Sequence, residues 1–402
     1  MATAATLSLM LAAAIVLVPA AVLFVECALA VLGPRRPRAS RGGPRPSVAV
    51  LVPAHDEQEV IEATVRGLLP ELASGDRLLV VSDNCTDRTA ELARAAGATV
   101  VERRDPERRG KGYALDHGVR QLAARPPDVV VVVDADCALQ PGSLESLARA
   151  VAAEGRPAQA RNLVVLPAGA SALDTLSAFA FLVRNVVRPT GLDRLGLPCH
   201  LMGTGMALPW PLLRDAPLAT GALAEDLELG LALTRAGRGP VLCTEALVTS
   251  PVPSQRRARE TQRRRWEQGH VTVLLTLGPG LLWRALRHLD LVLLGAALDL
   301  CVPPLSLLVL AAAALLAAGL AAGALGSSWT PALLGGLAVG LVGLSAFLAW
   351  LAFGRPAYRF TTLLVAPLYV LAKVPLYLAL LGRRKQGWVR TEREPPDRPP
   401  GP

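Results

Sequence analysis

The stretch VVVVVDADC, Val129 to Cys137, joins five valines to two aspartates that are separated by one alanine. A short run of β-branched apolar residues predicts a fully buried strand. Two carboxylates this close repel each other, which costs free energy unless a cation lies between them or both face water. Asp134 and Asp136 therefore predict either the start of an ordinary turn or a cation site at the end of a strand.

Strand-like and helical stretches alternate around this run. Such alternation predicts an α/β domain with a mostly parallel sheet. Acidic residues follow three of the predicted strands, in HDE (55–57), SDN (82–84) and DAD (134–136). In sheets of this kind ligands bind at the carboxyl ends of the strands. Mg²⁺ and Mn²⁺ prefer a few carboxylates together with substrate phosphates, so we expect one of these ions at this edge of the sheet.

Apolar residues are concentrated at the two ends of the 402-residue chain. Residues 1–33 are predicted to form an uncleaved transmembrane anchor, because arginines follow the apolar run and no basic residue precedes it. Residues 305–382 contain three segments of spanning length, whereas residues 281–304 form either an interfacial or a broken transmembrane helix. The basic tail, residues 383–402, is expected in the cytoplasm, and this favours a crossing by the shorter segment as well.

Residues 46–275 are predicted to form a cytoplasmic domain of an integral membrane protein, as expected for a bacterial inner membrane. The formal net charge of +9 is explained by contact with anionic membrane lipids. Nucleic acid is excluded as a partner, since no nucleic-acid-binding motif is present. The cysteines have no metal-like spacing and are expected to be reduced thiols.

Seven motifs in order carry a resemblance to a known family: VPAHDE, SDNCTD, GKGYALDHG, DAD, GTGMAL, AED and QRRRW. The chain resembles the membrane-bound, QxxRW-containing family 2 glycosyltransferases, which include cellulose, hyaluronan and poly-N-acetylglucosamine synthases. The resemblance implies a nucleotide-sugar-binding α/β domain of the glycosyltransferase A type, flanked by transmembrane helices. It also implies inverting transfer of a sugar from a nucleoside diphosphate, expected to be UDP, to a growing polysaccharide.

The resemblance also implies a set of donor-binding residues. They are Glu57, Asp83, Lys111, Asp134 and Arg265. The metal would be held by Asp136 together with Asp134. SDNCTD departs from the family pattern, because one of its usual two acids is replaced by Ser82 or Asn84. Without the resemblance, the segment around Lys111 is more typical of a solvated basic turn. The arginines of QRRRW are compatible with a helix face on anionic lipid.

On the acceptor side, the resemblance assigns Asp226 of AED as the general base, which takes the acceptor proton as the new bond forms. Acids at a helix start are also favoured by the helix dipole. The threonine that usually precedes this acid pair is Ala224 here. The implied acceptor-site residues are Gly203, Gly205, Gln262 and Trp266. Glycines at a strand entry can equally relieve a tight backbone.

Two other functions are compatible with the sequence. The enzyme could transfer a single sugar to a membrane lipid acceptor. From a different class, the chain could be a nucleotide-binding membrane transporter or receptor. The complete set of acids and the scarcity of intramembrane charges argue against this last alternative, since transport paths usually contain ionisable residues.

Overall fold

The computed structural model describes residues 2–33, 44–167, 169–252 and 256–381. In these residues eight strands form one sheet: β1 (Val48–Ala54), β2 (Arg77–Asp83), β3 (Thr99–Arg103), β4 (Val129–Val132), β5 (Ala138–Leu139), β6 (Ala158–Val165), β7 (Met206–Pro209) and β8 (Val241–Pro251). The α-helices are α1 (Ala2–Val31), α2 (Ile61–Leu68), α3 (Thr89–Ala95), α4 (Lys111–Leu122), α5 (Ser143–Glu154), α6 (Ala172–Leu182), α7 (Arg188–Leu195), α8 (Trp210–Arg214), α9 (Glu225–Arg235), α10 (Arg256–His288), α11 (Leu291–Cys301), α12 (Leu305–Ala324), α13 (Thr330–Ala349) and α14 (Ala366–Leu381).

The described residues divide into two compact units. The sheet unit contains residues 44–167, 200–252 and 256–269, and all eight strands belong to it. The helical unit contains residues 2–33, 169–199 and 270–381. Residues 169–199 thus belong with the helical unit, although they lie between β6 and β7 in the sequence.

The sheet has the strand order β3-β2-β1-β4-β7-β6-β8-β5. Four pairings are parallel, namely β1 with β2, β2 with β3, β1 with β4 and β6 with β8. The other three pairings are antiparallel. Because parallel pairings are in the majority, the predicted α/β domain with a mostly parallel sheet is confirmed. The first four valines of the run form β4, and all four are buried.

The core of the sheet unit lies on both faces of the sheet. Val50 and Val52 of β1 pack into one cluster of buried residues, and Ala49 and Leu51 into another. This division follows from the alternation of side chains along a strand. With both faces covered, the chemistry of this unit must lie at the ends of the strands.

In the helical unit, three helices are long and apolar enough to cross a membrane: Thr6–Val31, Leu305–Ala324 and Thr330–Gly354. Two shorter apolar helices are Leu291–Cys301 and Phe360–Pro375. The last of the predicted spans begins as a 3-10 segment, Phe360–Val365, before α14. Residues 34–43, in the arginine-rich segment after the anchor, and the predicted cytoplasmic tail, 383–402, lie outside the described residues.

The segment predicted as an interfacial or broken helix contains the end of α10 and all of α11. The two helices are separated at Leu289, whose φ of 51° is left-handed, and at Asp290. The Asp290 carboxylate accepts a hydrogen bond from the Leu293 amide at 2.9 Å and so caps α11. The interruption between α10 and α11 is therefore confined to Leu289 and Asp290.

One charged cluster is buried in the helical unit. The guanidinium of Arg188 on α7 donates to Glu26 Oε2 of α1 at 2.6 Å and to the side chain and main chain of Asp299 on α11. Gly191, one turn along α7, packs so closely on the Glu26 main chain that no side chain would fit there. Buried charges persist only when they are paired. Glu26, the acid within the N-terminal apolar run, is thus paired with an arginine from another segment.

Candidate active site

A cavity in the sheet unit opens at the carboxyl ends of β1, β2 and β4. The parallel pairing of these strands brings together the three acidic segments that the sequence placed at strand ends. The residues that line it are Pro53, Ala54, His55, Asp56, Glu57, Asp83, Asn84, Arg109, Gly110, Lys111, Ala114, Asp134, Ala135, Asp136, Cys137, Ser250, Gln262, Arg265 and Trp266. All five predicted donor-binding residues are among them, as is Asp136.

The DAD segment offers a set of ligands for a cation. Ligand atoms of Asp134, Asp136 and Cys137 lie within 4.8 Å of one another. Cys137 is buried, and its thiol lies 3.1 Å from Ser250 Oγ. Two carboxylates beside an open cavity fit a hard divalent cation, which takes oxygen ligands from the protein and completes its coordination with water or phosphate.

A second acidic group, Asp56 with Cys85 and Asp87, has a different role. Asp56 Oδ1 accepts a hydrogen bond from the Thr86 amide at 2.6 Å, and Asp87 Oδ1 accepts from Thr89 Oγ1 at 2.6 Å. The first contact ties the loop after β1 to the loop after β2, and the second lies within the loop after β2. The group is explained by this loop structure.

Lys111 is the first residue of α4 and lies between acidic groups. Its ammonium donates to the Asp134 carboxylate and, at 2.8 Å, to the main-chain carbonyl of Gly203. Burial opposes its charge, but the charges of Asp134 and Glu225 outweigh burial and raise the pKa of Lys111. Burial also raises the pKa of Asp134, against the opposing effect of Lys111. Lys111 is therefore not a solvated turn residue but a cation held inside an acidic cluster.

Gly203 and Gly205 both have left-handed φ angles, 80° and 63°. A Cβ on Gly203 would lie 3.1 Å from Asp226 Oδ2 and 3.2 Å from Lys111 Nζ. The backbone at Gly203 therefore lies close to both the predicted base, Asp226, and the ammonium group of Lys111. A Cβ on Gly205 would lie 2.8 Å from a Val248 methyl group, at the entry to β7. Neither glycine is among the cavity-lining residues, and their contact with an acceptor stays a prediction.

Glu225 and Asp226 begin α9, as the sequence predicts. The Asp226 carboxylate accepts a hydrogen bond from the Leu227 amide at 2.8 Å. Burial, together with the charge of Asp226, raises the pKa of Glu225 to about 7 despite the opposing charge of Lys111. Glu225 was not among the predicted site residues, although its place beside Asp226 in AED was a usable signal. Asp226 itself does not line the cavity, and its role as the base stays a prediction.

Gln262, Arg265 and Trp266 all line the cavity from α10. Their spacing at i, i+3 and i+4 predicts one shared helix face, and the structure places them on it. Arg263 and Arg264 are not among the lining residues. The QRRRW segment is thus split between a cavity face and other faces of the helix.

Arg103 is a residue that sequence reasoning missed. It lies opposite Asp83 in the register of β2 and β3, and its Nη1 donates to Asp83 Oδ1 at 2.6 Å. Its guanidinium also donates to Asp105 at 3.0 Å and stands over the Tyr113 ring, 5.4 Å from the centroid. Only the strand register brings Arg103 to Asp83, and no motif in the sequence marks it.

Comparison with known families identifies the class. Residues 44–269 match the family described as Glycosyltransferase like family 2. Because this match covers more than half of the chain, the protein belongs to that family. The predicted enzyme class, a glycosyltransferase, is confirmed at the level of the family.

Individual curated relatives match only part of the chain. The glucosyl-3-phosphoglycerate synthase of Mycolicibacterium paratuberculosis is 41% identical over 97 residues, which are 22% of this chain and 28% of that protein. An uncharacterized glycosyltransferase of Mycobacterium tuberculosis is 40% identical over 101 residues, which are 25% of this chain and 42% of that protein. The chain thus spans between about a quarter and two-fifths of the length of these relatives.

Two solved structures are similar in part. A mannosyltransferase from Pyrobaculum calidifontis, in complex with GDP-Man and Mn²⁺, is 19% identical with a TM-score of 0.49, covering 86% of this chain and 100% of that one. Glucosyl-3-phosphoglycerate synthase from Mycobacterium tuberculosis, with Mn²⁺, UDP-glucose and phosphoglyceric acid, is 25% identical with a TM-score of 0.39, covering 59% and 80%. Both of these structures contain Mn²⁺ and a nucleotide sugar.

Proposed function

We propose that this protein is an inverting membrane glycosyltransferase that moves a sugar from a UDP-sugar to a growing polysaccharide. The observation that carries the proposal is the convergence on one cavity of the DAD acids, Lys111 and the Gln262, Arg265 and Trp266 side chains. Cation ligands, a phosphate-binding arginine and an aromatic surface are the groups that transfer from a nucleoside diphosphate sugar requires.

The donor diphosphate would lie between DAD and α10. A divalent cation held by Asp136 and Asp134 would neutralise charge on the departing nucleoside diphosphate. The guanidinium of Arg265, which also lines the cavity, matches phosphate oxygens and would bind the same group. Asp83 and Glu57, at the ends of β2 and β1, would bind the nucleoside part.

Asp226 is proposed as the base that accepts the proton of the acceptor hydroxyl. Sugar hydroxyls are very weak acids, so the proton must leave as the bond to the anomeric carbon forms. Lys111 lies near both acids of AED and lowers the cost of placing several carboxylates together. A single displacement of this kind inverts the anomeric carbon.

The acceptor is proposed to be a polysaccharide at the membrane. Trp266 offers a flat apolar face beside Gln262, a suitable surface for a sugar ring. Three helices of membrane-spanning length support a membrane location, and several apolar segments follow QRRRW directly in the sequence. The names of the synthase relatives include phosphoglycerate, but these proteins match only 22% of this chain.

The test uses the purified full chain in lipid nanodiscs with Mn²⁺ and a panel of UDP-sugars. We expect UDP release with one member of the panel and a product that grows in length with time, and neither in Asp136→Asn. A product with one sugar on a lipid, or on a small phosphorylated acid, would contradict the polysaccharide acceptor. Nucleotide binding without release for any donor would favour a transporter or receptor instead.

A further inference from the structure

We propose that Arg103 sets the nucleobase preference of the donor site: it occupies one oxygen of Asp83 and leaves a single acceptor, which suits uracil and not guanine. The inference rests on the proposed function, because it takes Asp83 as the residue that contacts the base. Arg103 does not line the cavity and would act through Asp83, as a positioning residue.

The two oxygens of the Asp83 carboxylate have different surroundings. Oδ1 accepts from Arg103 Nη1 at 2.6 Å and from Asn84 Nδ2 at 3.2 Å. A carboxylate has about four lone-pair sites on two oxygens, so these two donors fill Oδ1. Oδ2 makes no hydrogen bond to the described part of the chain, and Asp83 lines the cavity. Asp83 therefore presents one acceptor oxygen, Oδ2, to the cavity.

Arg103 is fixed in place by contacts on several sides. Its second terminal nitrogen donates to Asp105 Oδ2 at 3.0 Å, and its guanidinium covers the Tyr113 ring. The Asp105 amide donates to Asn84 Oδ1 at 2.7 Å, which orients the Asn84 side chain toward Asp83. The Arg103 side chain is 11% exposed. A mostly covered guanidinium that is bonded to two carboxylates does not move away easily to free Oδ1.

The two bases present different donors to a carboxylate. Uracil has one ring N–H between two carbonyls, which a single carboxylate oxygen satisfies. Guanine has a ring N–H and an amino group side by side, and these are best paired with both oxygens. At Asp83 the guanine amino group would face an oxygen that is already filled, and a polar group that loses water without gaining a partner costs affinity.

The experiment measures the affinities of UDP and GDP for the full chain in nanodiscs with Mn²⁺, by calorimetry. We expect the native protein to bind UDP at least about tenfold more tightly than GDP. Arg103→Met removes the donors but keeps a stem over Tyr113, and the UDP-to-GDP affinity ratio should fall toward one. Arg103→Lys keeps the charge and should restore part of the ratio. The matched control is Arg104→Met, whose native side chain is 82% exposed, and its ratio should equal that of the native protein.

A second variant keeps the inference testable if Arg103→Met does not fold. Asp105→Asn retains an oxygen for the Glu107 and Arg108 amides but loses the charge that anchors Arg103, so the ratio should fall by a smaller factor. The inference is overturned if the native protein prefers GDP, or if UDP and GDP affinities fall in parallel in the Arg103 variants. If the native protein binds neither nucleotide, the proposed function itself fails; if it binds UDP with an unchanged ratio in the variants, only the role of Arg103 fails.

Discussion

The ammonium group of Lys111 is hydrogen-bonded to the carboxylate of Asp134, one of the two acids proposed to hold the metal. The same ammonium lies close enough to Glu225 and Asp226 for their charges to raise its pKa. Lys111 therefore connects the acids of DAD with the acids of AED. In the absence of donor it neutralises part of a cluster of carboxylates that would otherwise repel one another.

This relationship predicts opposite effects of Lys111→Met on metal binding and on catalysis. Removal of a positive charge that competes for Asp134 should tighten Mn²⁺ binding to the nucleotide-free protein. Sugar transfer should fall by about ten- to a hundredfold, the usual effect of losing a hydrogen-bonded charge. Mn²⁺ titration and initial rates measure the two effects. Arg108→Met, an exposed position in the preceding loop, is the matched control, and weaker Mn²⁺ binding in Lys111→Met would argue against the competition.

Chelation tests the metal directly. EDTA should abolish sugar transfer, and added Mn²⁺ or Mg²⁺ should restore it, because the leaving diphosphate needs charge neutralisation at Asp136 and Asp134. Asp136→Asn should need more Mn²⁺ for half-maximal rate, whereas Asp215→Asn, an exposed acid, should behave as the native protein does. Full activity after exhaustive chelation would remove the metal from the mechanism.

The pKa of Glu225, raised to about 7, predicts a pH dependence of stability. Between its ordinary value of about 4.5 and about 7, the folded protein keeps a proton that the unfolded chain has released. Folding stability from this group is therefore full at low pH and is lost as the pH rises through this window. In Glu225→Gln this loss is absent.

Thermal unfolding at a series of pH values measures the effect. The melting temperature of Glu225→Gln minus that of the native protein should increase from about pH 5 to about pH 8, the window set by the raised pKa of Glu225. Glu107→Gln, at an exposed loop position, should give a constant difference. A constant difference for Glu225→Gln as well would mean that Glu225 is ionised throughout.

The buried Arg188 cluster predicts a large loss of stability on truncation. Arg188→Leu would leave Glu26 and Asp299 without their counter-ion, which typically costs about 3 to 5 kcal/mol. Thermal unfolding of the full chain in detergent should show a clear decrease for this variant and little change for Arg287→Leu, which is exposed. A melting temperature of Arg188→Leu equal to that of the native protein would contradict the expected cost of leaving the two acids without a counter-ion.

Much of the candidate site follows from local sequence patterns. A buried valine run ending in two aspartates, with parallel pairing to its neighbour, is enough to bring DAD beside HDE and SDN. Helical spacing alone brings Gln262, Arg265 and Trp266 to one face. The second inference uses the short-range geometry of a helix, and the first uses the rule that ligands of an alternating α/β pattern bind where the parallel strands end.

The contacts that could not be predicted are long-range ones. Arg103 meets Asp83 only through the register of β2 and β3, and a shift of one residue would move it to the other face. Arg188 meets Glu26 across 162 residues and Asp299 across 111. Residues 169–199 belong to the helical unit, although the predicted catalytic domain, residues 46–275, includes them. The helices in this segment, α6 and α7, have 11 and 8 residues, too few to be predicted as membrane spans.

The most direct test of the account is the rate of sugar transfer by Asp226→Asn at saturating donor, measured beside its affinity for UDP. Asparagine keeps the size of the side chain and can accept the Leu227 hydrogen bond, but it cannot take a proton at neutral pH. A positioned base contributes about 10²- to 10⁴-fold, so the rate should fall by at least the lower factor while UDP affinity is unchanged. Transfer at close to the native rate would contradict the account and place the base elsewhere.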